Sequence, residues 1–325
     1  MKPFVILLII GGGMLMMNGC VSQDKATSPN KLYKSDEAKR ISFESYDRTM
    51  KLWGCEYSED WVGTEYGRSH IIVSGPEEAR PLFLLPGLFA DASMWFANAA
   101  HLAQAYRVYA VDLPVFGGKS EPSEKKIDDI SDYTAWFTAL LEHYGYSSTA
   151  AAGLSYGSWL ALALARELPG RISALIMLDP SETFAKMRSA MFWKGFRYFV
   201  FFPNRKKYTK FFDWMGGGYS DPEVDIWFEH MLDVIEYGSV GMMDVPQHRV
   251  YRPEELQMVN MPILVLAGAK PIIYKDPVEF AAAAAKALPH AEIELIPDTG
   301  HSLNMEKSDQ VNSRVLRFLK ENYQR

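Results

Sequence analysis

The stretch that most constrains this chain is Ala150-Ala151-Ala152-Gly153-Leu154-Ser155-Tyr156-Gly157-Ser158-Trp159. It reads as a short strand of small residues, a sharp turn carrying Ser155, and a helix that continues through 160–166. A serine at such an elbow takes strained backbone angles, and side chains two residues to either side would collide, so Gly153 and Gly157 are both required. The helix that follows aims its free amides and the positive end of its dipole at the serine. This is the placement of a nucleophile, set between an apolar strand and an apolar helix.

The surrounding sequence repeats that alternation. Leu82-Phe83-Leu84-Leu85 is a continuous apolar run of the kind buried on both faces of a sheet. It ends in Pro86-Gly87-Leu88-Phe89, and a helix is expected over 92–104. Strands are expected at 106–112, 149–154 and 172–178, with helices over 132–144 and 156–168. A helix over 41–52 and a hairpin turning at Gly67 come before them. Strands alternating with helices make an open, mostly parallel sheet covered on both faces.

The pattern stops over 181–259, an aromatic segment of helical character with Phe192, Trp193, Phe196, Tyr198, Phe199, Phe201 and Phe202 close together. It resumes with a strand at 262–267, a helix at 278–288, a strand at 291–296 and a helix at 308–323. The interruption reads as a helical cap inserted after the sixth strand, over the sheet edge where open α/β folds bind ligands.

With 325 residues, 48% of them hydrophobic, the chain can bury one large core plus such an insertion. A net charge of −6 without any basic block excludes nucleic acid as the expected partner. Two cysteines give no disulfide framework, and Cys55 reads as a small packed hydrophobe. Cys20 is different: Lys2, an apolar run over 4–17 and Asn18-Gly19 precede it, the layout of a secretory signal peptide. The run is too short and too glycine-rich for a comfortable transmembrane helix. Ending at a cysteine, it resembles the lipobox of bacterial lipoproteins, with Met17 and Asn18 where that motif favours leucine and a small residue. The resemblance implies export and a lipid on Cys20 holding the chain to a bacterial membrane; without that lipid the chain would be secreted. The expected organisation is a signal peptide at 1–19, a polar tether at 20–40, a core at 41–180 and 260–325, and the cap at 181–259.

A nucleophilic serine needs a base, an acid that orients the base, and amides for the oxyanion. The base candidate is His301, in Asp298-Thr299-Gly300-His301-Ser302, between the last strand and the last helix. His70, His101, His143, His230, His248 and His290 lie within or beside elements and lack that placement.

Taken together, Gly153-Leu154-Ser155-Tyr156-Gly157, the Asp112-Leu113-Pro114…Gly117-Gly118-Lys119-Ser120 loop and Gly300-His301 followed by Glu306 resemble the α/β-hydrolase family over 60–325, in its microbial carboxylesterase branch. The resemblance implies an α/β-hydrolase fold and assigns the oxyanion amides to Leu88 and Tyr156. Two departures stand out. Pro86-Gly87 replaces the usual His-Gly, removing a polar partner of that loop. At the usual acid position Gly268-Ala269-Lys270 runs into Pro271, which cannot orient an imidazole. The acid is then sought at Asp179, in Leu178-Asp179-Pro180-Ser181, which is similar to the L-D-P-A stretch of pancreatic-type lipases, or at Asp276. Asp179 could equally cap a helix ahead of Pro180, and Asp298 more simply shapes its turn.

The function these residues imply is hydrolysis of small carboxylic esters with an apolar part, through an acyl-enzyme on Ser155, with no metal or organic cofactor. The alternative is a catalytically weak binding protein on the cell surface that keeps the fold. The leader makes a separate expectation: Cys20→Ser releases the protein from membranes or blocks its processing. A variant that fractionates and is processed like the parent would remove the lipid anchor.

Overall fold

A computed structural model describes residues 6–10, 13–17, 32–199, 203–241 and 244–323. The first two segments pair antiparallel with each other, Ile6 opposite Met17 and Ile10 opposite Gly13. Cys20, with most of the expected tether, lies outside the described residues. Among the described residues no helix is long and apolar enough to cross a membrane.

The core strands are β1 (Tyr57–Thr64), β2 (Gly67–Ser74), β3 (Pro81–Leu85), β4 (Arg107–Val111), β5 (Thr149–Leu154), β6 (Ile172–Leu178), β7 (Ile263–Gly268) and β8 (Glu292–Ile296). They lie side by side in the order β8-β7-β6-β5-β3-β4-β2-β1, and the two-residue strand Glu121–Pro122 adds to β2. From β4 to β8 the pairing is parallel throughout. The β1–β2 hairpin and its pairing to β4 are antiparallel. Gly67 turns the hairpin at φ 115, and a Cβ there would stand 2.1 Å from Glu121 O, so glycine is required.

The strand residues divide between the faces with the period of two that a pleat dictates. Phe83 and Leu85 of β3 pack with Val265 of β7 on one side, and Leu82 and Leu84 pack with Leu264 and Leu266 on the other. The first face is covered by α3 (Ile130–His143), α4 (Tyr156–Glu167) and α8 (Pro277–Ala287) through Trp136, Phe137, Leu160 and Phe280. The second is covered by α2 (Phe96–Leu102) and α9 (Ser308–Asn322) through Leu102, Val311 and Phe318. The expected doubly covered, mostly parallel sheet is the fold of the chain.

Between β6 and β7 run α5 (Ser189–Phe199), α6 (Arg205–Met215) and α7 (Pro222–Tyr237). The first core helix, α1 (Asp36–Met50), begins five residues before the expected start at 41. Ser35 caps it by accepting from Ala38 N, and Asp36 and Glu37 complement the dipole in its first turn. The polar stretch at 20–40 is therefore not a tether to its end. Leu32 and Tyr33 are buried, Ser239 N donates to Leu32 O (2.9 Å), and Lys34 N donates to Tyr237 O (3.0 Å). The chain enters the fold stitched to the end of α7, and α1 packs along that helix.

Candidate active site

The elbow stands where the sequence puts it. Ser155 follows β5 at φ 56, ψ −116 and opens α4. A Cβ on Gly153 would lie 2.2 Å from Gly157 C, and one on Gly157 would lie 2.2 Å from Leu85 O. Backbone fills both places, so neither glycine tolerates a side chain. Ser158 fastens the turn from behind, donating to Gly153 O (2.6 Å) and accepting from Leu178 N (2.9 Å). Ser155 N donates to Leu178 O (2.9 Å), which joins the elbow to the end of β6.

The residue after Leu178 is Asp179. Its backbone is left-handed (φ 39), and its N–H donates to Leu266 O of β7 (2.7 Å). One carboxylate oxygen, Oδ1, accepts from Gly268 N (3.2 Å), and the other, Oδ2, stands 2.5 Å from His301 Nδ1. Both residues are buried, at 4% and 5% exposure, so water does little to screen the pair. No helix follows Pro180; the next one begins at Ser189, and Asp179 is not a helix cap. Asp276 is one, accepting from Val278 N (2.8 Å) and Glu279 N (3.3 Å) at the head of α8. Asp298 sits in the turn before His301 at φ 59.

The histidine loop is held at several points. Glu306 accepts from Gly300 N (2.7 Å) and Ser302 N (3.2 Å), and burial pushes its carboxyl above the ordinary range. His301 N donates to Met215 O at the end of α6 (3.2 Å). Thr299 O accepts from Lys270 N (3.0 Å), so the residues in front of Pro271 support the loop through backbone.

Gly87 lies beside the serine: a side chain there would begin 3.7 Å from Ser155 Cβ. The next amide is that of Leu88, and on the other side Tyr156 N is the first amide of α4. Among the described residues neither N–H has a protein acceptor. Asp112, in the loop resembling the family's D-x-P motif, accepts from Ala92 N (2.7 Å) and Lys119 N (2.7 Å) and meets His70 Nδ1 (2.7 Å). It ties the loop after β4 to the loop after β3.

The structure thus brings Asp179 onto His301, joins the strand end before Asp179 to Ser155, and sets Gly87, the residue before Leu88, beside the elbow that Tyr156 continues. Asp276 belongs to a different element. Aromatic rings of the inserted segment meet this region through Phe89, which stacks on Phe199 (6.2 Å, 9°) and packs on Phe116 (5.6 Å). Trp193 is turned outward, 56% exposed, and the Phe192 side chain lies outside the described residues. Sequence reasoning missed Met215 and His230, which carry no local signal. Among the described residues no group of three or more His, Cys, Asp or Glu side chains is placed to hold a metal ion.

An elbow serine behind a buried Asp–His pair, on a sheet in this strand order, defines a class of hydrolase, and a family model bears on it directly. The alpha/beta hydrolase family model matches residues 82–314, and the chain belongs to that family. Within the family it is similar to the uncharacterized carboxylesterase nap of Bacillus subtilis (strain 168), 29% identical over 85% of this chain and 91% of that one. The crystal structure of naproxen esterase (carboxylesterase NP) from Bacillus subtilis superposes at a TM-score of 0.79, with 28% identity over 88% of this chain and 99% of that chain. Carboxylesterase CesB (YbfK) from the same organism gives 0.79 and 25% over 87% and 98%. The chain is a carboxylesterase-like hydrolase.

The two aspartates predict different variants. Asp179→Asn keeps the shape but removes the charge beside His301 and is expected to lower kcat on an ester by about 10⁴. Asp276→Asn replaces one good cap by another and leaves kcat near wild type. Steady-state kinetics of both variants decide the assignment, and the opposite ranking would move the acid to Asp276.

Proposed function

We propose that the chain hydrolyses carboxylic esters with an apolar acyl or alcohol part, as a serine esterase. Ser155 attacks the ester carbonyl while His301 takes its proton. Asp179 keeps the imidazole oriented and offsets the charge it gains. The amides of Leu88 and Tyr156 hold the oxyanion of the tetrahedral intermediate, where fixed donors need no reorganisation as charge develops. His301 then protonates the leaving alcohol, and water, activated by the same ring, releases the acid from the acyl-enzyme. The observation that carries this reading is the 2.5 Å contact of Asp179 Oδ2 with His301 Nδ1, one residue beyond the strand end bonded to the nucleophile elbow. Phe89, Phe116 and Phe199 favour an apolar substrate. The alternative of a silent binding protein rested on Pro271 and Pro86, and Asp179 takes up the role that Pro271 cannot.

We also infer attachment to a bacterial membrane through lipidated Cys20. Eleven residues lie between Cys20 and Leu32, a reach of about 40 Å when extended. Because Leu32 is fastened to Ser239, that short leash would hold the α7 end of the insertion near the bilayer, where apolar esters concentrate.

A panel of p-nitrophenyl esters of increasing acyl length tests the chemistry. The wild type is expected to turn over this series, and Ser155→Ala and His301→Ala each to lose several powers of ten in kcat while remaining folded. More than about a tenth of wild-type activity in either variant would contradict the assignment.

A further inference from the structure

The loop that carries Leu88 starts Pro86-Gly87, without the polar side chain that could tie it down. Ala90 N donates to Gly87 O (3.2 Å), closing a turn with Leu88 and Phe89 at its corners. Phe89 sits at φ 60, a conformation that suits glycine and that a bulky side chain resists. A turn of this kind persists when its surroundings pin it.

The pin is Asp91, one residue past the turn and 1% exposed. Its Oδ1 accepts from Ser93 N (3.1 Å) and Ser93 Oγ (2.6 Å), and its Oδ2 meets His230 Nε2 at 2.7 Å. His230 comes from α7 in the inserted segment and is equally buried. Its other ring nitrogen, Nδ1, lies 2.8 Å from Ser45 Oγ on α1, and that hydroxyl also reaches Ser42 O (3.0 Å). When Ser45 donates to the ring, the neutral imidazole carries its proton on Nε2. When Ser45 donates to Ser42 O, Nδ1–H donates to the hydroxyl instead. Facing an ionised Asp91 carboxylate, Nε2 is the donor of that contact. Burial pushes the Asp91 carboxyl up, and the His230 ring and the Ser93 bonds more than reverse this, leaving it below its ordinary value.

No slack surrounds this contact. A side chain on Gly117, in the loop after β4, would begin 2.7 Å from Val234 Cγ1 of α7 and 3.5 Å from Asp91 Oδ2. Helix α7 therefore closes on both loops at once. Without His230, a buried carboxylate oxygen loses its partner, and the relief open to it is displacement of the loop that presents Leu88.

We propose that His230 is a positioning residue for ester hydrolysis, holding the Leu88 amide against Ser155 through Asp91 in place of the loop partner that Pro86 removes. The inference rests on the serine-esterase reading above. It makes the inserted helix a structural part of the oxyanion site.

The test compares wild type, His230→Ala, His230→Gln and Asp91→Asn in the full chain, using p-nitrophenyl butyrate and an aryl trifluoromethyl ketone, which forms a charged hemiketal on the serine. His230→Ala is expected to lose about 10² in kcat, the scale of a misplaced donor, with KM within about threefold of wild type and an equal loss of ketone affinity. His230→Gln restores a donor near the Nε2 position and is expected to recover to within about tenfold of wild type. A kcat for His230→Ala near wild type overturns the proposal. So does a loss confined to KM with ketone binding intact, or a His230→Gln variant as slow as His230→Ala. Should His230→Ala not fold, Asp91→Asn is read the same way: loss in kcat and ketone affinity supports the proposal, and loss in KM alone or no loss overturns it. A wild type that turns over no ester overturns the esterase reading and this inference with it, whereas active wild type with equally active variants overturns this inference alone.

Discussion

The contact between Asp179 and His301 depends on the register of three strands. Leu178, the last residue of β6, lies opposite Leu154 of β5 and Leu266 of β7. From that position its carbonyl receives Ser155 N, while the next residue gives its N–H to Leu266 O. The Asp179 carboxylate then spans from Gly268 N to the imidazole. A slip of one residue in β6 would turn this side chain to the other face of the sheet and separate Asp179 from His301. The sheet's hydrogen-bond ladder therefore sets the geometry of the site, and the loops have only to keep it.

Those loops are kept by the inserted segment as well as by the core. His301 N bonds to Met215 O at the end of α6, and a Cβ on Gly300 would stand 2.9 Å from that same oxygen. Helix α7 reaches the loop after β3 through His230, and α1 backs α7 with Ser45. Swinging α6 or α7 away as a rigid lid would break buried polar bonds to both loops that serve Ser155, and buried partners left unpaired are costly. The insertion is built as a buttress through α6 and α7, while Phe199 of α5 stacks on Phe89 of the loop after β3.

Much of this was legible in the sequence because the signals are local. The elbow shows as a five-residue pattern in which Gly153 collides with backbone only four residues on, although what requires Gly157 is Leu85 O at the end of a neighbouring strand. His301 lies on a loop between two recognisable elements. Asp179 and Asp276 could not be separated that way, since each is an Asp-Pro pair at the edge of an element. The difference is one of backbone: Asp276 is extended and caps α8, whereas Asp179 is left-handed with no helix behind it. The early start of α1 was written in Ser35-Asp36-Glu37 and was hidden by the polar character of its first turns. His230 and Met215 were not legible, because their partners lie 139 and 86 residues away and periodicity carries no record of such pairings.

The most direct test of the account is a crystal structure of the protein inactivated by a fluorophosphonate. The phosphorus is expected on Ser155 Oγ, with one phosphonyl oxygen about 3 Å from the amide nitrogens of both Leu88 and Tyr156. His301 should still be paired with Asp179 in that adduct. Phosphorus on another residue, an oxygen turned away from those two amides, or a His301 ring paired with Asp276 would contradict the account.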